Sequence, residues 1–249
     1  MQPSTPLLLA KTLLGDVVFN PKLIKKLLTQ YINERSFSYP LGNIPTASIF
    51  DFVPDADKRT IKFQSIFEIP NYPCGSQFES QFYTASASFA DSYSLALMSQ
   101  KFAKKTIIEV GTSYGESALT LALNSPVDCT VHTLDIQKDN PTIGIKWRNH
   151  ELSDKIRQHW KGLAEIEHLF APRSVDMIFI DGDHSYRGVV TDTTVALRLI
   201  RPGGLICWHD YSFRFRDSVV KAIDEVRAKT DIEIRKIVHT NLTAATINS

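Results

Sequence analysis

Three short stretches of this 249-residue chain carry residue types suited to chemistry. The first, Ile107-Ile108-Glu109-Val110-Gly111-Thr112-Ser113-Tyr114-Gly115-Glu116-Ser117-Ala118, passes from a β-branched apolar run through an acid into a turn with two glycines. The second, Asp176-Met177-Ile178-Phe179-Ile180-Asp181-Gly182-Asp183-His184-Ser185-Tyr186, ends an apolar run in two acids and a histidine around a glycine. The third, Leu205-Ile206-Cys207-Trp208-His209-Asp210-Tyr211, ends another apolar run in a histidine and an acid. The first reads as a strand–loop–helix corner whose backbone comes close to a bound group, because a Cβ would obstruct both turn and approach. Its G-x-x-x-G spacing is neither the G-x-G-x-x-G of nicotinamide enzymes nor a phosphate loop ending in Gly-Lys-Ser/Thr. In the second, Gly182 permits a turn that aims Asp181, Asp183 and His184 at a common point. Acids beside histidines are the residue types that move protons or hold a metal. A hydrogen-bonded network that only orders the loops is the competing reading.

Such residues need a scaffold, and the chain from Thr106 onward supplies an alternation of strands and helices. Apolar runs predict strands at 106–110, 130–134, 156–160, 175–180 and 204–208, and helical spacing predicts helices at 115–123, 145–151, 164–170, 186–200 and 216–228. Segments 232–239 and 242–248 read as a closing strand pair. The helix from Tyr186 places Val189, Thr193, Ala196 and Ile200 on one face and stops at Arg201-Pro202-Gly203-Gly204. This alternation gives an α/β fold with a parallel sheet and helices on both faces. Open sheets of that kind bind ligands beyond the carboxyl ends of the strands, where strand order reverses.

Upstream, Asn20-Pro21 suits a helix start, with Leu23, Leu27 and Tyr31 at helical spacing through about Arg35. Residues 36–77 are rich in proline and aromatics, and Ile61-Lys62-Phe63-Gln64 alternates as a short strand would. That stretch reads either as a lid or acceptor-pocket wall, or as an arm packed on the core or on a second subunit. Residues from about Ser80 to Phe102 suit a helix leading into the first strand. The expected organisation is an N-terminal extension, residues 1–100, followed by the site-bearing domain, residues 101–249.

Composition narrows the function classes. An apolar share of 43% suits an ordinary globule, and a formal net charge of +1 offers no electrostatic case for nucleic acid or an anionic membrane. Cys74, Cys129 and Cys207 fit neither a zinc module nor a disulfide framework, and Cys207 reads as a small buried hydrophobe. Lys11 interrupts Leu7-Leu8-Leu9-Ala10 and no basic segment precedes it, so no signal peptide is expected. No apolar run reaches the ~20 residues of a membrane span, and a cytoplasmic protein is expected.

The first stretch resembles the opening motif of Rossmann-like, class I S-adenosylmethionine (SAM) methyltransferases. The run Ile180–Tyr186, with Leu199-Ile200-Arg201-Pro202-Gly203-Gly204 and His209-Asp210, resembles the methyltransferase-24 group and, more distantly, catechol-type and sugar O-methyltransferases. The resemblance covers about residues 100–248. It implies a doubly wound, mostly parallel seven-stranded sheet with helices on both faces and an N-terminal helical or irregular extension. It also implies methyl transfer from SAM to a small-molecule acceptor, most readily a hydroxyl oxygen. Cofactor contacts then fall on Glu109, Gly111, Thr112, Ser113, Tyr114, Gly115, Ser117, Asp135, Ile136 and Asp181. Glu109 would meet the ammonium group, backbone N–H groups from Ser113 to Ser117 the carboxylate, Asp135 the ribose hydroxyls and Ile136 the adenine face. Leu163 and Ala164 depart from the polar residue often found after the third strand, which leaves adenine recognition open.

In catechol-type relatives a divalent metal is held by the acid ending strand four and a pair ending strand five. Here those positions are Asp181, His209 and Asp210. An imidazole ligand suits Mn²⁺ or Fe²⁺ better than Mg²⁺. The alternative is a metal-free site with His209 as an acid–base residue or a neighbour of the adenosyl group. The base is expected at Asp183 or His184, the latter poised by an ordinary pKa near ~6.5. Two other classes compete: an NAD-dependent oxidoreductase, opposed by the glycine spacing and the lack of a Tyr-x-x-x-Lys pair, and a non-catalytic SAM-binding protein. The N-terminal arm is compatible with a homodimer.

Overall fold

The computed structural model describes residues 46–47, 52, 89–238 and 240–248, all within one compact unit spanning Gly42–Ser249. The helix expected near 20–35, the strand at 61–64 and nearly all of the 36–77 arm lie outside the described residues.

The sheet grows from β-branched runs whose side chains are covered on both faces. Strand β2 (Thr106–Val110) buries four of its five residues and β5 (Val175–Ile180) buries all six. Such fully covered, mostly apolar strands are what a parallel sheet sandwiched between helices requires. The others are β1 (Thr46–Ala47), β3 (Thr130–Leu134), β4 (Ile156–His159), β6 (Ile200–Trp208), β7 (Arg235–Ile237) and β8 (Thr243–Thr246). Their order is β1-β7-β8-β6-β5-β2-β3-β4, and only the pairings of β8 are antiparallel. The seven-stranded, mostly parallel sheet is therefore present, with the two-residue β1 added at one edge. The chain winds outward one way through β3 and β4 and the other way through β5 and β6. Strand order thus reverses between β2 and β5, and the Asp181 N–H donates to the Val110 carbonyl across that point, 2.8 Å.

Among the described residues, α1 (Phe89–Phe102), α2 (Glu116–Asn124) and α4 (Tyr186–Leu199) pack on this sheet, and α5 (Lys221–Lys229) packs on α4; a single turn, α3 (Leu163–Ile166), follows β4. Helix α4 is anchored by buried Val189, Thr193, Ala196 and Leu199, and Ser185 caps it by accepting from the Gly188 N–H.

Two local expectations differ from the structure. Residues 145–151 form turns, not a helix. Gly144 takes φ +71°, which favours glycine, and Trp147 packs on it, so the segment wraps around a buried indole instead of propagating a helix. The fifth strand of the alternation begins at Ile200, not 204. Ile200 pairs with Val175 and Leu205 with Met177, so the Arg201–Gly204 segment bulges out of the ladder. Helix α5 is preceded by a π-helical turn, Arg216–Val220, within the span expected to be helical.

Candidate active site

The carboxyl ends of β2, β3, β5 and β6 meet at the reversal point, and each carries one of the chemical residues. The bend after β2 is built from left-handed backbone: Gly111 at φ +98°, Ser113 at +46° and Gly115 at +83°. The first glycine is dictated by packing as well as by dihedral. A Cβ on Gly111 would lie 2.0 Å from the Asp181 carbonyl oxygen, and one on Gly115 would lie 2.3 Å from Trp147 Cδ1. The glycines therefore let β2 close on β5 and the loop close on Trp147, whatever ligand approaches them.

The bend is held from below. The Gly111 and Thr112 N–H groups both donate to the Leu134 carbonyl, at 2.9 and 3.0 Å. Thr112 Oγ1 shares a hydrogen with Thr133 Oγ1 at 2.7 Å, and Gln158 Nε2 donates to Thr112 Oγ1 at 2.9 Å. Thr133 in turn donates to Glu109 Oε2 at 2.5 Å. Glu109 is fully buried and its Oε1 has no hydrogen-bond partner in the protein. Burial pushes its carboxyl up to about 8, against the opposing pull of the Ser117 and Thr133 hydroxyls. Burial keeps the acid protonated at neutral pH, and a cation brought to its open Oε1 would draw that proton off and leave a carboxylate facing it.

Asp135 follows β3 directly. Its Oδ2 accepts the Ser113 N–H at 3.2 Å and its Oδ1 accepts the Gln137 N–H at 2.9 Å, so it ties the two loops together while remaining part-exposed. Ile136 beside it is 77% exposed, an apolar surface at the rim. Helix α2 opens at Gly115; its first backbone bond runs from the Leu119 N–H to the Gly115 carbonyl, so the N–H groups of Glu116, Ser117 and Ala118 precede any intrahelical acceptor. Tyr114 accepts the Lys146 N–H through its carbonyl and belongs to the loop wall. Leu163 is wholly buried and offers no edge to a ligand.

The acid–histidine cluster assembles across β5 and β6. His209 follows β6 and its N–H donates to the Ile180 carbonyl, extending the ladder to the site. His209 Nδ1 lies 3.2 Å from Asp181 Oδ1 and 3.4 Å from Asp210 Oδ1, while its Nε2 lies 3.3 Å from Asp91 Oδ2. His184 Nε2 lies 2.6 Å from Asp210 Oδ2 and 3.7 Å from Asp181 Oδ1, and its ring stacks on Phe215 at 4.8 Å. Asp210 adopts φ +58°, a strained value that aspartate tolerates better than most residues.

The charges are mutually set. Burial works against ionised Asp181, but His209 and His184 hold its carboxyl below the usual range. Burial likewise opposes charge on His209, and Asp181, Asp210 and Asp91 outweigh it, raising the imidazole well above its ordinary value. Hydrogen bonds to Asp181 and Asp210 raise His184 to about 9. Acids and imidazoles in contact thus set one another's charge across the cleft.

Three sequence-based assignments change. His184 is not poised near neutrality; at pH 7 it is a proton-carrying donor. Asp183 accepts the Ser185 N–H at 2.8 Å and the Ser185 hydroxyl at 2.7 Å, so its carboxylate holds the start of α4 and stays out of the cluster. Among the described residues, the group able to hold a cation is Asp181, His184 and Asp210, with donor atoms within 4.8 Å of one another. His209, expected in that set, lies beside it with Nδ1 facing Asp181 and Asp210 and Nε2 facing Asp91. Asp91 and Phe215 complete the site without having been singled out. The signal for Asp91 was its place as the sole acid between residues 80 and 102.

Comparisons agree with this geometry. Residues 108–211 match the Methyltransf_24 family model, a methyltransferase domain. Caffeoyl-CoA O-methyltransferase 2 of Zea mays is 34% identical over 110 residues, 42% of this chain and 40% of that one. The O-methyltransferase TomG of Streptomyces achromogenes, solved with SAM, superposes with a TM-score of 0.56 at 18% identity over 70% of this chain and 87% of that one. An O-methyltransferase of Bacillus cereus, solved with S-adenosylhomocysteine (SAH), gives a TM-score of 0.54 at 20% identity over 71% and 93%. The fold is the Rossmann-like one of these solved O-methyltransferases, and the stretch that matches the methyltransferase model contains the bend, Asp135 and the acid–histidine cluster. It spans less than two thirds of the length of the curated relatives it matches. Among the described residues no helix is long and apolar enough to cross a membrane.

Proposed function

We propose that this protein transfers the methyl group of SAM to an oxygen of a small-molecule acceptor. The observation that carries the reading is the convergence of the Gly111–Gly115 bend, the part-exposed Asp135 carboxylate and the acid–histidine cluster on one reversal point of the sheet. SAM would lay its ribose hydroxyls on Asp135, its adenine along Ile136, its carboxylate at the start of α2 and its ammonium on Glu109. The sulfonium would then face the acid–histidine cluster around Asp181. Transfer is in-line displacement, in which the S–CH₃ bond breaks as the O–CH₃ bond forms and the hydroxyl proton leaves. Holding donor and acceptor aligned contributes several kcal/mol to lowering the barrier. The direct test is methyl transfer from S-adenosyl-[methyl-³H]methionine to a panel of small phenols and alcohols, with radioactive product expected for at least one.

A divalent cation fits the donor set of Asp181, His184 and Asp210, two carboxylates and an imidazole that suit Mn²⁺ or Fe²⁺ better than Mg²⁺. When bound, such an ion would acidify the acceptor hydroxyl. In the metal-free protein, His184 Nε2 can take the acceptor's proton only in its neutral form. Turnover is therefore expected to rise with pH between 7 and about 9, and His184→Ala to be slow and flat across that range. A flat wild-type profile would contradict this role for His184.

Glu109 makes a prediction with opposite signs for stability and binding. Its folded pKa of about 8 lies above the ordinary 4.5, so the folded state holds a proton that the unfolded chain loses. Its contribution is unimpaired below pH 4.5 and is lost as pH rises from there to about 8. Glu109→Gln is expected to remove that slope, gaining on the order of 4 kcal/mol over wild type near pH 7.5. The same change removes the carboxylate for the SAM ammonium and should weaken SAM binding about tenfold, worth 1.4 kcal/mol. Urea unfolding at pH 5 and pH 8, with calorimetry of SAM binding, reads both. A stability difference that is the same at the two pH values would contradict the assignment.

A further inference from the structure

Helix α1 lies upstream of the segment matched by the family model, yet it reaches the centre of the site. Asp91, in its first turn, is 0% exposed. A carboxylate so placed is costly unless both oxygens are satisfied. Oδ1 accepts the Asn241 N–H at 2.8 Å, which ties α1 to the turn before β8. Oδ2 lies 3.3 Å from His209 Nε2, on the edge of the ring opposite Nδ1, which faces Asp181 and Asp210. A continuous series of polar contacts therefore runs from α1 through His209 to both carboxylates that hold His184.

We propose that Asp91 is a positioning residue for methyl transfer: it fixes the His209 ring so that Nδ1–H is shared between Asp181 and Asp210, and so sets those carboxylates against His184 and the acceptor. This rests on the methyl-transfer reading given above. It makes α1 part of the catalytic apparatus, so the matched domain alone is an incomplete site. Fastening α1 to Asn241 is the rival explanation for a buried acid, and the two differ in one respect. A fastening acts whether or not residue 209 is histidine, whereas a positioning role vanishes without the imidazole.

The test is a double-mutant cycle in the full chain with Asp91→Asn, His209→Gln and the pair. Asparagine keeps the shape of the side chain and one acceptor for the Asn241 N–H. Should it not fold, Asp91→Ser serves the same cycle. Turnover of the best phenol from the wild-type panel, SAH affinity by calorimetry and the imidazole ¹⁵N signals of His209 are recorded. Asp91→Asn is expected to lower kcat about tenfold, to leave SAH affinity within about twofold and to move the His209 Nε2 signal; in the His209→Gln background it should change kcat little. Additive losses in kcat, or wild-type turnover in Asp91→Asn, would overturn the inference while leaving the methyl-transfer reading intact. A wild-type chain that methylates nothing in the panel, despite binding SAM, would remove that reading, and an unmoved His209 signal would then separately dismiss the Asp91 pairing.

Discussion

Gly111→Ala is expected to destabilise the protein by about 3–5 kcal/mol and to abolish cofactor binding, the largest single effect in this chain. The added Cβ would lie 2.0 Å from the Asp181 carbonyl oxygen, 2.6 Å from its carbon and 3.1 Å from Gly182 Cα. All three are backbone atoms, so no rotamer change relieves the clash. At φ +98° an alanine is strained in addition. The relief available is to move β2 away from β5, which breaks the register where Asp181 N–H meets the Val110 carbonyl. Gly203 is the control. It also has positive φ, at +70°, but the nearest atom to its built Cβ is the mobile end of Arg201 at 3.4 Å. Gly203→Ala should cost about 1 kcal/mol, the conformational penalty alone. Urea unfolding of both variants reads the difference, and equal losses would show that the close approach of β2 and β5 does not matter.

Asp135→Ala is expected to weaken SAM and SAH binding about 100-fold while changing stability little. Hydrogen bonds from ribose hydroxyls to a carboxylate contribute about 1.5–3 kcal/mol each, and one tenfold step in affinity is 1.4 kcal/mol. The same side chain also holds Ser113 and Gln137 by their N–H groups, so its loss loosens the loops that would flank the nucleoside. Asp135→Asn keeps an acceptor for those loops and should fall between alanine and wild type. Calorimetric titration of the three proteins with SAH tests the series. Undiminished affinity in Asp135→Ala would take the ribose away from this carboxylate.

Much of the fold was legible because its causes are local. The mostly apolar runs at Ile107–Val110 and Val175–Ile180, each broken by one acid, read as strands buried on both faces, and their alternation with amphipathic helices such as α4 leaves few topologies. The cluster was legible for a related reason: two strands pointing the same way, each ending in acid and histidine, must bring those groups to one edge. Details that depended on tertiary contact were not legible. The 145–151 segment has helical spacing, but Trp147 buries itself against Gly115 and Gly144 and overrides it. Ile200 continues a helical face in sequence and turns out to pair with Val175. His184 has an ordinary side chain, and only the approach of Asp181 and Asp210 makes it a cation at neutral pH. Asp183 looked available until Ser185 took its carboxylate. Asp91 stood out in sequence only as the lone acid of its helix, and such an acid becomes a site residue only when the sheet places His209 opposite it.

Isothermal titration calorimetry of the purified 249-residue chain with SAH, at pH 7.5, asks most directly whether this sheet edge is a SAM site. Saturable one-site binding with a Kd in the micromolar range, about −8 kcal/mol, is expected, and it should weaken sharply in Asp135→Ala. A protein that is folded by circular dichroism yet yields no heat with either SAH or SAM, at concentrations up to about 1 mM, would contradict the account at its root.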